Sequence, residues 1–498
     1  MRFVPSVVAF VLVAPKVALA QDPASAISVR IDESIEKAIH AADAKPAPIC
    51  SDDEFLRRIF LDLLGRTPKV REARDFLEDR THARRSKLIH DLLSHPEHYR
   101  YFGRLWREVL VSEPANRKSS MAESLEAWAR EAMRSNMAHD RFVREILACA
   151  TERRPGADDN SPYAFHMANE FQPELLAAAS TRTFLGIRLE CAQCHDHPFA
   201  KWKQADFWST AAFFVPAPKE PRSGYAPIAY MDGKRSAEPR FVDGAPLRWT
   251  SGKSARVRFA EWMTRSDNRQ FARASVNRLW AQVFGRGLVD PIDDFDDGNA
   301  ASHPQLLDEL ADAFVKEGFD RKLLLRAMLS SRTYQRSSAA TEDVPADPQL
   351  FARMSLRPLN AEQLFDSLAQ AIGESDRNFA EERARVKERE AFLTRFAGPD
   401  RAADARTSVL QALSLMNGSM TARGVSPEKS RMLRSLLGAP FLSLESKIET
   451  LYLATLARFP VEREMNRARE LVRMHGETQA LADLLWVLAN TAEFSVNH

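Results

Sequence analysis

The sequence predicts a mainly α-helical protein, two helical domains joined by a Pro/Gly-rich linker with a few short strands, and three observations carry that reading. Glycine is scarce, with 18 in 498 residues, about half the usual ~7 %, which leaves little for Gly-rich phosphate loops, propellers or turn-dense sandwiches. From Ile27 to about Phe214, and again from Ala255 to the end, apolar residues recur at helical spacing. Between these stretches, Lys219 to Ser251 is rich in Pro and Gly and lacks that period.

Composition bounds the function. Hydrophobic residues make up 45% and charged residues 28%, the proportions of a folded chain rather than a disordered or multi-span one. The net charge is only +2, so no global field recommends nucleic acid or an anionic membrane as partner. No nucleophile-elbow, metalloprotease or P-loop pattern occurs.

Taken in order, residues 1–20 carry one Arg, an apolar stretch from Phe3 to Ala14, and Ala18-Leu19-Ala20 as a small-residue cleavage site. They read as a signal peptide, with the mature chain starting at Gln21 in the periplasm or outside the cell. No later segment is apolar enough to span a bilayer. The first domain is placed at 21–215, the linker at 216–250 and the second domain at 251–498. Ser51-Asp52-Asp53-Glu54 predicts a capping box opening a helix with Phe55, Ile59, Leu63 and Leu64 on one face, ended by Gly65. Thr67-Pro68 predicts the next start, and Ser86 to Leu93 a third helix before His95-Pro96. In the linker, Ala226 to Met231 and Arg240 to Val242 are candidate strands. Ser302 to Gln305 predicts the cap of a helix bearing Leu306, Leu310 and Phe314, closed by Gly318, and Asp320 opens the next. Ser426-Pro427-Glu428 and Ser443-Leu444-Glu445 mark later starts, and Glu374 to Glu390 reads as a solvated, densely charged face. Leu61 to Pro68, followed by Glu72, matches Leu453 to Pro460, followed by Glu464, so the two ends of the chain read as copies of one helical hairpin.

One cluster carries chemistry. Cys191-Ala192-Gln193-Cys194-His195 has the spacing of c-type haem attachment, in which two thiols about one helical turn apart add to the vinyl groups and the adjacent imidazole reaches the iron. Two other readings stay open: a zinc or similar site built on Cys191, Cys194 and either His195 or His197, and a Cys191–Cys194 disulfide. His166, Met167, Met133, Met137 and His197 are the candidates for a sixth iron ligand. Cys50 and Cys149 either pair with one another or remain thiols.

Here the chain resembles a family of secreted two-domain proteins abundant in planctomycetes, a cytochrome-like domain of unknown function followed by a second domain of unknown function. Cys191 to Phe199 with Trp202 looks like the signature of the first domain. Asn277 to Trp280, Phe284 to Val289, Asp293 to Phe295, Ser302 to Pro304, Arg332 to Gln335, Arg357 to Leu359, Ala361 to Gln363 and Gln411 to Leu413 look like that of the second. The resemblance implies a family and no settled activity. Two departures stand out: the upstream cytochrome c module of many relatives is missing, and Ala402 to Arg406 replaces their cysteine-containing segment.

Asp290, Asp293, Asp294, Asp296 and Asp297 precede Gly298 without EF-hand order or a closing Glu, so they are expected to pair with Arg278, Arg286 and Arg332 rather than to hold calcium. The reading as a whole is an exported electron-transfer protein with one haem c attached at Cys191, Cys194 and His195 and an unidentified redox or protein partner. The alternative is a non-enzymatic helical binding or scaffold protein whose cluster is a structural metal site or a disulfide.

Overall fold

The computed structural model describes residues 22–112, 119–151, 156, 159–216, 225–247, 253–296, 298–340, 344–374, 379–396, 416 and 418–498. Residues 1–20, read above as a signal peptide, the stretches 217–224 and 248–252 of the Pro/Gly-rich segment, Asp297, and the segments Ala402 to Arg406 and Gln411 to Leu413 lie outside the described residues.

Among the described residues, ten α-helices precede the linker: α1 (Pro23–Ala41), α2 (Asp52–Leu64), α3 (Val70–Glu78), α4 (Arg84–Leu93), α5 (Pro96–Leu110), α6 (Ser120–Arg134), α7 (His139–Leu147), α8 (Tyr163–Ala168), α9 (Pro173–Leu185) and α10 (Gln204–Ala211). Twelve follow it among the described residues: α11 (Ala255–Met263), α12 (Arg269–Phe284), α13 (Pro304–Lys316), α14 (Arg321–Ser330), α15 (Ala361–Ala371), α16 (Phe379–Phe396), α17 (Ser419–Gly424), α18 (Arg431–Leu437), α19 (Leu444–Leu456), α20 (Glu462–His475), α21 (Glu477–Ala489) and α22 (Ala492–Ser495). The strands are few. β1 (Ile228–Tyr230) pairs antiparallel with β2 (Arg235–Ala237), and β3 (Arg357–Pro358) with β4 (Val496–Asn497). The mainly helical class follows directly, and no helix of the described residues is long and apolar enough to cross a membrane.

Several local starts fall where the caps place them. Asp320 accepts from the Leu323 amide at 3.0 Å and Ser443 from that of Ser446 at 3.2 Å, each satisfying a free N–H of a first turn. Others differ for identifiable reasons. Ser51 holds the N-cap position of α2 but its side chain makes no capping bond, and Glu54, which would close the other half of a capping box, is held instead by Arg58 at 2.5 Å and by the amide of Ser338 at 2.7 Å. Thr67 is buried, and α3 opens only at Val70, where Glu72 accepts from the Lys69 amide at 2.6 Å. The Ser426 stretch is a turn, and α18 is capped by Ser430 instead. Arg240 makes one isolated bridge with Pro246 rather than a strand.

The hairpin match between the two ends is a true structural repeat. α2 and α19 each run 13 residues and end on a left-handed residue, Gly65 and Ala457. In both copies the next residue is an arginine that grips a glutamate six positions on with both oxygens: Arg66 holds Glu72 at 2.9 and 3.0 Å, and Arg458 holds Glu464 at 2.7 and 2.9 Å. Each also reaches a second glutamate through Nε, Glu97 at 2.5 Å and Glu493 at 2.7 Å.

The core crosses the linker. Ile27, Ile31, Ile35 and Ile39 recur every fourth residue on α1 and bury their shared face against α13 and α14 of the second half. One continuous set of buried apolar side chains joins them to Trp106, Phe142 and Phe213 before the linker and to Phe271, Trp280 and Leu310 after it. A second set gathers α15, α18, α19 and α21 and takes in Leu61 from α2.

Candidate functional site around Cys191 to Trp202

Helix α9 delivers the chain to the motif. It ends at Gly186, whose φ of 66° is left-handed and whose carbonyl accepts from the Phe295 amide at 2.7 Å. A Cβ at Gly186 would sit 2.5 Å from the Phe295 ring, so the close approach of the two segments requires glycine there. A 3₁₀ turn, Leu189–Ala192, follows. Side chains three apart nearly eclipse in such a turn, so Leu189 and Ala192 point inward together, both wholly buried. Cys191 and Cys194, also three apart, are exposed together.

The loop is held by its backbone. The Gln204 side chain donates to the carbonyls of Gln193 and Cys194 at 3.2 and 2.9 Å, and the Trp208 indole donates to that of Gln193 at 3.1 Å. Asp196 accepts from the Gln204 amide at the start of α10 at 2.9 Å. Sequence reasoning missed these braces because a side chain bound to a backbone carbonyl has no motif of its own. They fix the loop and leave the thiol side chains facing outward.

The two histidines differ in tautomer. His195 Nδ1 lies 2.8 Å from the Asp196 carbonyl, which can only accept, so in the neutral ring Nδ1 carries the proton and Nε2 keeps its lone pair. That is the usual preparation of a metal-ligating imidazole. His197 is the reverse: its Nδ1 accepts from the amides of Phe199 and Ala200 at 3.2 and 2.8 Å, which places the proton on Nε2. Its own amide donates to the Trp202 carbonyl at 2.8 Å, closing the loop. Of the proposed sixth ligands, His166 is wholly buried with Nε2 on the Ile146 carbonyl at 2.9 Å, Met133 is buried in the core, and Met137 and Met167 are half-buried.

The four cysteines form no disulfide. Neither the Cys191–Cys194 nor the Cys50–Cys149 bond is formed. Cys50 is buried with the Arg58 and Arg85 guanidiniums 3.8 and 4.0 Å away, and burial pushes its thiol up. Cys149 is half-buried beside Ser161 at 3.7 Å. Among the described residues no three His, Cys, Asp or Glu side chains converge as a metal site.

Three of the four described aspartates pair with arginine, but not with the set expected. Arg286 pairs with Asp290 at 3.0 Å, whereas Asp293 and Asp294 are held by Arg188 at 2.7 and 3.6 Å. Arg278 donates instead to the Thr183 carbonyl at 3.1 Å, and Arg332 pairs with Glu36 at 3.2 Å. Arg188 lies three residues before Cys191, so this ion pair ties the motif's approach to the second half.

The second-half motifs do structural work. Asn277 clasps Val289 through both amide groups at 2.8 and 2.9 Å. Buried Asp62 receives Arg357 at 2.8 Å, the Tyr334 hydroxyl at 2.9 Å and Asn497 at 2.8 Å. Gln363 donates to the Leu61 carbonyl at 3.1 Å. These residues are closed inside, where they lock distant segments together.

Residues 30–219 match a family described as a protein of unknown function, DUF1549 (PSCyt2). Residues 255–401 match a second, a protein of unknown function, DUF1553 (PSD1). No curated protein and no solved structure matches the chain.

Proposed function

We propose, for a chain that carries the DUF1549 and DUF1553 domains in that order, that it is an exported electron-transfer protein holding one c-type haem at Cys191, Cys194 and His195. The observation that supports this best is the pairing of two exposed, unbonded thiols on one side of a braced turn with an imidazole whose Nε2 lone pair is free. Attachment needs reduced thiols: each S–H adds across a vinyl C=C, forming one C–S bond while the proton goes to the neighbouring vinyl carbon, and nothing is released. Bound haem supplies one-electron exchange. The chain supplies the rest. Gln204 and Trp208 hold the loop against rotation, the Asp196 carbonyl fixes the His195 tautomer, and His197 spends its lone pair on the loop's own amides. In this reading residues 1–20 are the export signal, and the linker at 216–250 separates the haem-bearing segment from the second domain.

The test is production in a periplasm equipped for cytochrome c maturation. Haem stain should follow the polypeptide through a denaturing gel, give a thioether-type pyridine haemochrome, and vanish in the Cys191→Ala, Cys194→Ala double variant. His195→Ala should change the axial-ligand spectrum of whatever haem remains. A colourless wild-type protein would leave the cluster a structural staple and the protein a scaffold.

A further inference from the structure

One groove takes a wall from each half of the chain. Ala200, Lys201 and Trp202, where the chain approaches α10, form one side together with Leu185 and Ile187. Trp262 of α11, Gln270 of α12 and Phe295 form the other. The volume is about 380 Å³, in the lower range of ligand pockets, and the groove is open along one side, so a chain longer than the groove can run out of it. Cys191, Cys194 and His195 do not line it, which separates it from the thiol cluster.

Its charges cancel. Lys201, Arg265 and Arg269 are matched in number by Asp243, Asp267 and Asp296. The acids are also engaged: Asp243 accepts from the Trp262 indole at 3.0 Å, Asp267 pairs with Arg265, and Asp296 accepts from the Gly298 amide at 2.5 Å. Arg269 stands 3.6 and 3.8 Å from Asp312 and Asp308. An ion of either sign therefore gains no net attraction from this lining. The groove is nonetheless more polar than apolar. Three of its polar groups have no hydrogen-bond partner among the described residues: the exposed Lys201 ammonium, the Trp202 indole N–H, and the Gln270 side-chain carbonyl, whose amide nitrogen donates to the Leu185 carbonyl at 2.6 Å.

Two indoles complete the lining. The Trp262 ring is held in place by Phe241 and Phe259, with ring centres 5.1 and 5.8 Å away, neither of which lines the groove. The Lys201 ammonium lies 5.0 Å from the Trp202 ring centre, which sets a donor beside an aromatic surface. We infer that this groove binds a neutral oligosaccharide. A sugar ring carries slightly positive C–H hydrogens on its flat faces and hydroxyls around its rim. The faces suit the electron-rich faces of indoles. The hydroxyls, each donor and acceptor, can meet the ammonium, the N–H and the carbonyl oxygen together. A wholly apolar ligand would strip those three groups of water and leave them unpaired. Because one wall comes from each half of the chain, the ligand is held only while both halves are in place. The inference is independent of the haem reading.

Titration calorimetry on the full chain tests it. Cellohexaose and mannohexaose are the neutral probes, hexagalacturonate the anionic one, and decaproline a peptide of the kind that also docks in aromatic grooves. At least one neutral sugar should bind with a Kd below about 1 mM. That affinity should not change as salt is raised from about 0.05 to about 0.5 M. Trp202→Ala should weaken it about tenfold or more, Trp202→Phe less, and Lys201→Met should weaken it as well. Phe441→Ala, which removes an 85% exposed ring elsewhere, should leave it unchanged. Lys201 is exposed, so its variant remains informative if Trp202→Ala fails to fold. Neutral sugars that give no heat at about 10 mM, binding confined to hexagalacturonate or to decaproline, or sugar binding that survives both Trp202→Ala and Lys201→Met would each overturn the inference.

Discussion

His195 and His197 stand two residues apart and hold their protons on opposite nitrogens, a distinction set by what each Nδ1 meets. The sequence offers both as ligands, and only the backbone around them tells them apart. Buried histidines make a different prediction. Burial holds His98 down to about 3 and His139 well below 6.5, with the charges of Arg321 and Arg278 adding to the effect at His139. In the unfolded chain both imidazoles bind a proton near 6.5, while the folded protein cannot, so unfolding takes up protons as the pH falls. Their contribution is fully present above 6.5 and is lost below it, at up to about 1.4 kcal/mol per pH unit for each histidine. His139 stacks at 10° on Phe271, with ring centres 5.7 Å apart, so His139→Phe keeps the shape and removes the titration. Urea unfolding measured from neutral pH down to about pH 4 should give a shallower loss of stability in this variant by roughly one histidine's slope. Parallel curves for variant and wild type would show that His139 takes up its proton in the fold as it does in the unfolded chain.

At the scale of elements, the repeat shows what a sequence comparison can and cannot reach. The pairs Arg66 with Arg458 and Glu72 with Glu464 keep one spacing, since 458 − 66 and 464 − 72 both equal 392, and so were legible from the residues alone. Glu97 and Glu493 were not, because 493 − 97 is 396: the second copy lengthens α20 and α21, and the shift hides the match. The caps were legible where the side chain had no rival partner, as at Asp320, and illegible where other partners claimed it, as at Glu54, which Arg58 four residues on and the distant Ser338 amide both hold. The clasp should matter in both copies, in proportion to its burial. The Arg66 side chain is 8% exposed and that of Arg458 19%. Replacing either with Met leaves two carboxylates facing each other, with an expected loss of about 3 kcal/mol for Arg66→Met and about 2 kcal/mol for Arg458→Met. Denaturant midpoints check the totals, and hydrogen exchange should place the second loss in α20 and α21. An Arg458→Met protein within about 0.5 kcal/mol of wild type would reduce the second clasp to a surface ion pair.

Over the whole molecule, composition singles out the Pro- and Gly-rich stretch 216–250, but local periodicity could not show that the core runs past it. α1 belongs to the first half by sequence and buries its isoleucines against α13 and α14 of the second. Arg57 of α2, wholly buried, donates to the carbonyls of Thr455, Phe494 and Val496 at 3.0, 2.6 and 3.2 Å. Asp62 on the same helix collects donors from three segments 272 to 435 residues away. Each of these bonds needs both halves in place, and each leaves a buried polar group without its partner if one half departs, at about 1–3 kcal/mol apiece. Apolar side chains of both halves in the shared core would be exposed at the same time. A single cut between Lys219 and Ser251 should therefore leave the two fragments together through size-exclusion chromatography, parting only in denaturant. Residues 253–498 produced alone should lack a cooperative melt, because α13 and α14 would present to water the face that α1 covers. Two nicked fragments that elute apart, each unfolding cooperatively, would mean that the linker divides the protein energetically as well as in composition.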